Sequence, residues 1–243
     1  MPPIVTISQV CETPARRDLA PGNVAFTYVY ARSRDTQQAN APGQDFIAYR
    51  YDSNRIAFAV CDGVSQSFYG DLAARFLGTR LVEWLWDWTP GGEVDFVTDL
   101  NLALSSWTTD ATALVQAKVI RADLPEMQKV ALERKRAYGS ESMFVAGLID
   151  QQAKNIALCW MGDMRLWLWD SAGESIELPG AIWKTRERWS SRVGPKHSAA
   201  HGCILPLGKI ARITAHSDGV GHFADSFGKL AQDQLDPMVA ALL

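Results

Sequence analysis

The sequence is short of several things, and each shortage narrows what the protein can do. Its 24 Lys and Arg stand against 27 Asp and Glu, so there is no basic excess to hold nucleic acid or an anionic membrane surface. The four cysteines, Cys11, Cys61, Cys159 and Cys203, are scattered without a CxxC pair, which fits a reducing compartment. No apolar run approaches the roughly 20 residues of a membrane span. The opening MPPIVTISQV lacks the basic start and apolar middle of an export signal, so a cytoplasmic location is expected. Disorder is disfavoured as well: 47% apolar and 21% charged residues over 243 positions make an ordinary globular balance with ample material for a core.

The most informative stretch is Ile56 to Gly63, IAFAVCDG. A short apolar run closed by Asp-Gly reads as a buried strand ending in a turn, and glycine there permits close approach to the main chain. The following YGDLAARFLGTRLVEWLW predicts a long helix with an apolar stripe through Leu72, Phe76, Leu77, Leu81 and Leu85. By itself Asp62-Gly63 is most simply a tight turn. Other acids in like settings decide otherwise.

Residues 1–23, with Pro2, Pro3, Pro14 and Pro21, read as a short strand and an irregular arm. Val24 to Ser33 reads as a strand, Asp35 to Gly43 as a polar loop, and Gln44 to Tyr51 as a second strand turning at Asp52-SNR into IAFAVCDG. Antiparallel pairing about that turn places Asp45 and Asp62 at the same open end. From Gly70 to about Ala137 the pattern is helical, broken at Pro90-Gly91-Gly92 and Pro125, with Glu133-RKR as a solvated face. Strands return at Met143-FVAGLI, Ile156-ALCWM, Arg165-LWLWD and Ile176-EL. Gly180 to Gly202 is basic and reads as a surface flap. A last β-type run reaches Ser217-Asp218-Gly219, and Gly221-HFADSFGKLAQDQL reads as a final helix. Strands, helices and strands again, without βα alternation, imply an α+β fold on antiparallel sheets, as a single domain over 1–243.

Three strand-like runs therefore end in Asp beside Gly: Asp62-Gly63, Gly162-Asp163 and Asp218-Gly219, with Asp45 after Gly43-Gln44. Hard divalent cations such as Mg²⁺ and Mn²⁺ prefer oxygen donors converging from separate elements. His197, His201 and Cys203 have a spacing that could touch zinc, but form one partial set.

The ordered stretches QDFIAY, FAVCDGVSQSFYGDLAARFL, GSESMFVAGLI, ALCWMGDMRLWLW and RITAHSDGV resemble the metal-dependent Ser/Thr protein phosphatases of the PPM (type 2C) family, in its bacterial form. That resemblance implies a central antiparallel β-sandwich flanked by helices in αββα layers, with two Mn²⁺ or Mg²⁺ ions at one end. It implies that Asp62 bridges both ions, that the Gly63 carbonyl binds one, that Asp218 holds the first and that Asp45 holds the second through water. Asp163 matches an acid that, with Asp218, supports a third ion in bacterial members. Arg32 or Arg34 matches the phosphate-binding arginine. The implied partner is a phosphorylated protein, the target of a Ser/Thr kinase, and the implied reaction is hydrolysis of its phosphoserine or phosphothreonine by metal-activated water.

The chain departs from the family in carrying no Asp-Asn after its SDG motif, so the expectation is either a fragment lacking the final strands or an incomplete metal centre. The loop VSQS replaces a glycine- and histidine-containing turn, and Gln44 replaces an acid. A second reading is therefore a catalytically weak, phosphatase-shaped module that binds or regulates a phosphoprotein.

Overall fold

The structure is a computed structural model that describes residues 1–20, 24–89 and 93–218. Its first strands are β1 (Val5–Thr6), β2 (Thr13–Ala20) and β3 (Val24–Tyr30), followed by a short helix α1 (Arg34–Gln38). The hairpin β4 (Phe46–Tyr51) and β5 (Arg55–Gly63) leads into the helices α2 (Gly70–Asp87), α3 (Glu93–Ser106), α4 (Thr108–Ala117) and α5 (Glu126–Tyr138). Then come β6 (Glu141–Asp150), β7 (Asn155–Met161), β8 (Arg165–Trp169), β9 (Ser175–Ile176), β10 (Arg188–Ser190), β11 (Gly194–Lys196), β12 (His201–Pro206) and β13 (Arg212–His216).

The main sheet is antiparallel throughout. β4 and β5 lie between β1 and β6, β7 joins β6 to β12, and the β10–β11 hairpin pairs with the first residues of β6. A second sheet, β13-β8-β9, packs on it, and β2-β3 form a separate ribbon. This is the antiparallel sandwich with flanking helices that the sequence predicts.

Strand β5 shows why its sequence is a continuous apolar run rather than an alternating one. On one face Ala57, Ala59 and Cys61 join Phe46, Ala146 and the α2 residues Leu77, Leu81 and Leu85 in a single buried cluster. On the other, Phe58 joins Val145, Leu158 and Trp160 against Leu166 and Leu168 of the second sheet. A strand covered on both faces has no solvent side to make polar. Small side chains on the helix face let α2 settle close: a Cβ at Gly78 would fall 2.8 Å from the Phe46 ring. Each large side chain removed from water here contributes roughly 1.5–3 kcal/mol.

Three expectations need correction. The stretch 180–202 is no surface flap: it supplies β10, β11 and the start of β12, and Trp189 is fully buried, donating its indole N–H to the Leu104 carbonyl at 2.8 Å. Its ring stacks on Phe76 at 5.8 Å, so α2, α3 and β10 interlock. The polar loop at 35–43 begins as helix α1, because the Ser33 hydroxyl accepts the Thr36 N–H and caps it. The N-terminal arm is not irregular, since Thr13–Ala20 forms an eight-residue strand. The helix expected from Gly221 and the Pro90-Gly91-Gly92 stop lie outside the described residues.

Candidate active site

The turn at Asp52 fixes the geometry of the site. Its carboxylate accepts the N–H groups of Asn54 (2.8 Å) and Arg55 (2.9 Å), which closes the β4–β5 hairpin and sets its register. Pairing runs from Tyr51 opposite Ile56 to Phe46 opposite Cys61, so the next positions outward bring Asp45 against Asp62. Across the sheet, Asp62 is level with Met143 of β6, against which Gly162 packs after β7. From the other sheet, β13 delivers Ser217 and Asp218. The Ser217 hydroxyl donates to Asp45 Oδ2 at 2.8 Å. All four aspartates thus stand at one end of the sandwich, Asp45, Asp62 and Asp163 half-buried and Asp218 exposed.

Their mutual influence is written in their acidities. The Asp62 carboxyl is pushed up to about 8, first by burial and then by the negative charges of Asp45, Asp218 and Asp163. Asp45 is raised too, mainly by burial, although the hydrogen bonds from Ser217 and Asp62 pull the other way. Burial and the facing charge together favour a proton shared within the Asp45–Asp62 pair.

This is a donor set that fits a hard cation. The Asp163 Oδ1 atom is buried without a hydrogen-bond partner, and the acids acting on Asp62 are all oxygen donors. No three His, Cys, Asp or Glu among the described residues stand close enough to enclose an ion by themselves. Mg²⁺ sites complete their shell with waters and phosphate oxygens.

Gly63 carries a different constraint from the one its sequence suggests. A Cβ there would lie 2.4 Å from the Gly70 carbonyl group and 2.8 Å from the Gln44 oxygen. Its glycine is required because the end of β5 and the first turn of α2 touch backbone to backbone. The start of α2 is capped from outside: Tyr69 has φ 44°, and the Ser140 hydroxyl accepts the Ala73 N–H while donating to the Tyr69 carbonyl.

The two candidate arginines differ in how they are engaged. Arg32 forms a two-pronged pair with Glu12 (2.8 and 3.2 Å) and donates to the Ala41 carbonyl at 2.9 Å. Arg34 is exposed at the first residue of α1. The histidines do not assemble with Cys203: His197 is exposed, whereas His201 Nε2 lies 3.1 Å from Glu187 and its ring stacks on Trp160. One contributor had no sequence signal. Gln9, buried in the N-terminal segment, donates through its side-chain amide to the carbonyls of Gly43 and Asp45, both at 3.2 Å, and reaches that of Asp71 at 3.5 Å. It ties the base of Asp45 to the first turn of α2. Nothing in its local pattern distinguishes it from a surface glutamine.

The fold is an antiparallel sandwich with helices outside and four aspartates at one set of strand ends. The comparisons name the class. The family model described as Protein phosphatase 2C matches residues 32–242, and the chain belongs to that family. Among solved structures, a bacterial serine phosphatase bearing an arginine-to-glutamate mutation is similar at TM-score 0.54 and 16% identity, covering 99% of this chain and 92% of its own. The serine/threonine phosphatase Stp1 from Staphylococcus aureus is similar at TM-score 0.51 and 11% identity, covering 100% of this chain and 89% of its own. At such identities the likeness is one of fold. No curated protein sequence matches the chain.

Proposed function

We propose that this protein hydrolyses phosphoserine or phosphothreonine in a phosphorylated protein, the target of a Ser/Thr kinase, using Mn²⁺ or Mg²⁺. The supporting observation is the register that sets Asp45 against Asp62 while Ser217 carries Asp218 to the same place. Asp62 would bridge two ions, with the Gly63 carbonyl on one of them, Asp218 on the first and Asp45 on the second through water. Asp163, with its unpartnered oxygen, would support a third with Asp218. Bound ions would supply an activated water and neutralise charge on the phosphoryl group.

The protein's own residues set the conditions for that chemistry. The Asp62 carboxyl, protonated when it faces Asp45 alone, ionises when positive charge arrives. The Ser217 hydroxyl fixes the Asp45 Oδ2 atom, and the Asp45 carboxyl also hydrogen-bonds with Asp62. Arg34, exposed, can receive a phosphate oxygen; Arg32 can do so only by leaving Glu12.

A second reading, a catalytically weak module that binds or regulates a phosphoprotein, draws on the engagement of Arg32 by Glu12 and on the absence of a closed carboxylate cage among the described residues. Turnover of p-nitrophenyl phosphate and a phosphothreonine peptide, with and without Mn²⁺, separates the two. The enzyme reading expects metal-dependent release of phosphate, and none from a folded protein would sink it.

A further inference from the structure

The segment Trp183 to Arg188 crosses the acidic end of the main sheet. Its Lys184 N–H donates to the Gly162 carbonyl at 3.0 Å, directly before Asp163. The Trp183 ring lies 5.8 Å from Trp160, with the Arg165 guanidinium 5.8 Å above it. A turn closes from Glu187 N–H to the Lys184 carbonyl at 2.9 Å, and the chain then enters β10, where Trp189 pairs with Ser142 and Ser190 with Glu141. Ser142 is itself opposite Gly63. The segment therefore runs from the end of β7 to the start of β6, beside the strand ends that carry Asp163 and Asp62.

Its charges are sorted by direction. Glu187 is 3% exposed and held between Lys184 at 3.2 Å and His201 at 3.1 Å. Glu141, also buried, lies between Arg188 at 3.2 Å and Lys196 at 2.8 Å. The acids of this rim are turned inward and matched, whereas Arg186 is exposed and has no carboxylate partner among the described residues. Lys135 and Arg192 rest on the main-chain carbonyls of Ser65 and Ala137 and likewise face no carboxylate. Residues 183–196 carry Lys184, Arg186, Arg188, Arg192 and Lys196 against Glu187 alone, in a chain of net charge −3. A solvated charge run has no reason to be tethered by its backbone to the residue preceding Asp163.

We propose that this basic strap, with Arg186 at its exposed crest, selects phosphopeptides whose residues flanking the phosphoamino acid are acidic. The proposal rests on the phosphatase reading. The phosphate itself is drawn to the aspartate end by bound cations, and the strap adds attraction for Asp or Glu a few residues away. Each exposed charge pair is worth about a two- to fivefold change in affinity, and salt weakens it.

The test uses the Mn²⁺-loaded protein and fluorescent peptides carrying a non-hydrolysable phosphonate, flanked by acidic or by basic residues, with anisotropy as the readout. The acidic peptide should bind at least about fivefold tighter, and the ratio should shrink as salt rises. Arg186→Glu should bring the ratio toward one and leave p-nitrophenyl phosphate turnover unchanged. Lys209→Glu makes the same charge change at the opposite end of the sheet and should leave the ratio as in the wild type. Equal binding of both peptides, or an equal loss from Arg186→Glu and Lys209→Glu, overturns the proposal. Absent Mn²⁺-dependent turnover alongside an intact preference would instead count against the phosphatase reading alone.

Discussion

The Ser217 hydroxyl donates to Asp45 Oδ2 at 2.8 Å, across 172 residues of sequence and between the two sheets of the sandwich. It is a side-chain tie between the end of β13 and the start of β4, and it holds the Asp218 side of the site against the Asp45–Asp62 pair. Ser217→Ala removes a hydrogen bond to a carboxyl that burial makes costly, about 1.5 kcal/mol at the lower end for a charged acceptor. The expected result is a lower melting temperature together with weaker stabilisation by added Mn²⁺. An unchanged Mn²⁺ response would show that the tie is only structural.

In chelator, stability should fall as pH rises. The Asp62 carboxyl shifts from its usual 3.8 to about 8, chiefly through burial and then through the charge of Asp45. A folded value above the unfolded one means that the native state holds the extra proton between them, so the contribution is complete below about pH 4 and is lost as pH rises through 8. Melting curves between about pH 5 and 8 check this. The decline should be shallower in Asp62→Asn, and excess Mn²⁺ should reduce it in the wild type. Identical slopes for wild type and variant in chelator would contradict the account.

Gln9 acts at one remove, through the Asp45 main chain and the first turn of α2. Gln9→Ala leaves buried carbonyls without their donor, at about 1–3 kcal/mol. As a positioning residue it should also lower the apparent Mn²⁺ affinity, whereas a merely structural role would lower the melting temperature alone. Calorimetric titration with Mn²⁺ distinguishes the two.

Trp189 locks β10 to α2 and α3. Trp189→Ala opens a large cavity and should cost about 3–5 kcal/mol. Trp189→Phe keeps most of the volume but loses the bond to Leu104, and should cost less. Urea denaturation measures both; equal losses would show that the hydrogen bond, not the packing, carries the hairpin.

The parts of this structure that local chemistry controls could be read from the sequence. The Asp52 turn fixes the β4–β5 register, so the facing of Asp45 and Asp62 follows from counting residues back from it. Strand β5 and helix α2 announce themselves through a buried run and an apolar stripe. The β10–β11 hairpin does not, because Arg188, Arg192 and Lys196 suggest solvent while Trp189 is its one large buried side chain. The pairing of Arg32 with Glu12 and the reach of Gln9 to Asp45 join distant segments, and no periodicity encodes them. At Gly63 the residue type was informative and the cause was not, since the close neighbour is the Gly70 backbone.

The most direct test of the central claim is the number of Mn²⁺ ions bound by wild type and by Asp62→Asn, read by calorimetric titration on protein whose fold is checked by circular dichroism. A bridging Asp62 predicts about two tight sites in the wild type and loss of both in the variant, with Mn²⁺-dependent phosphate release abolished. A variant that stays folded, binds Mn²⁺ as the wild type does and still releases phosphate would contradict it.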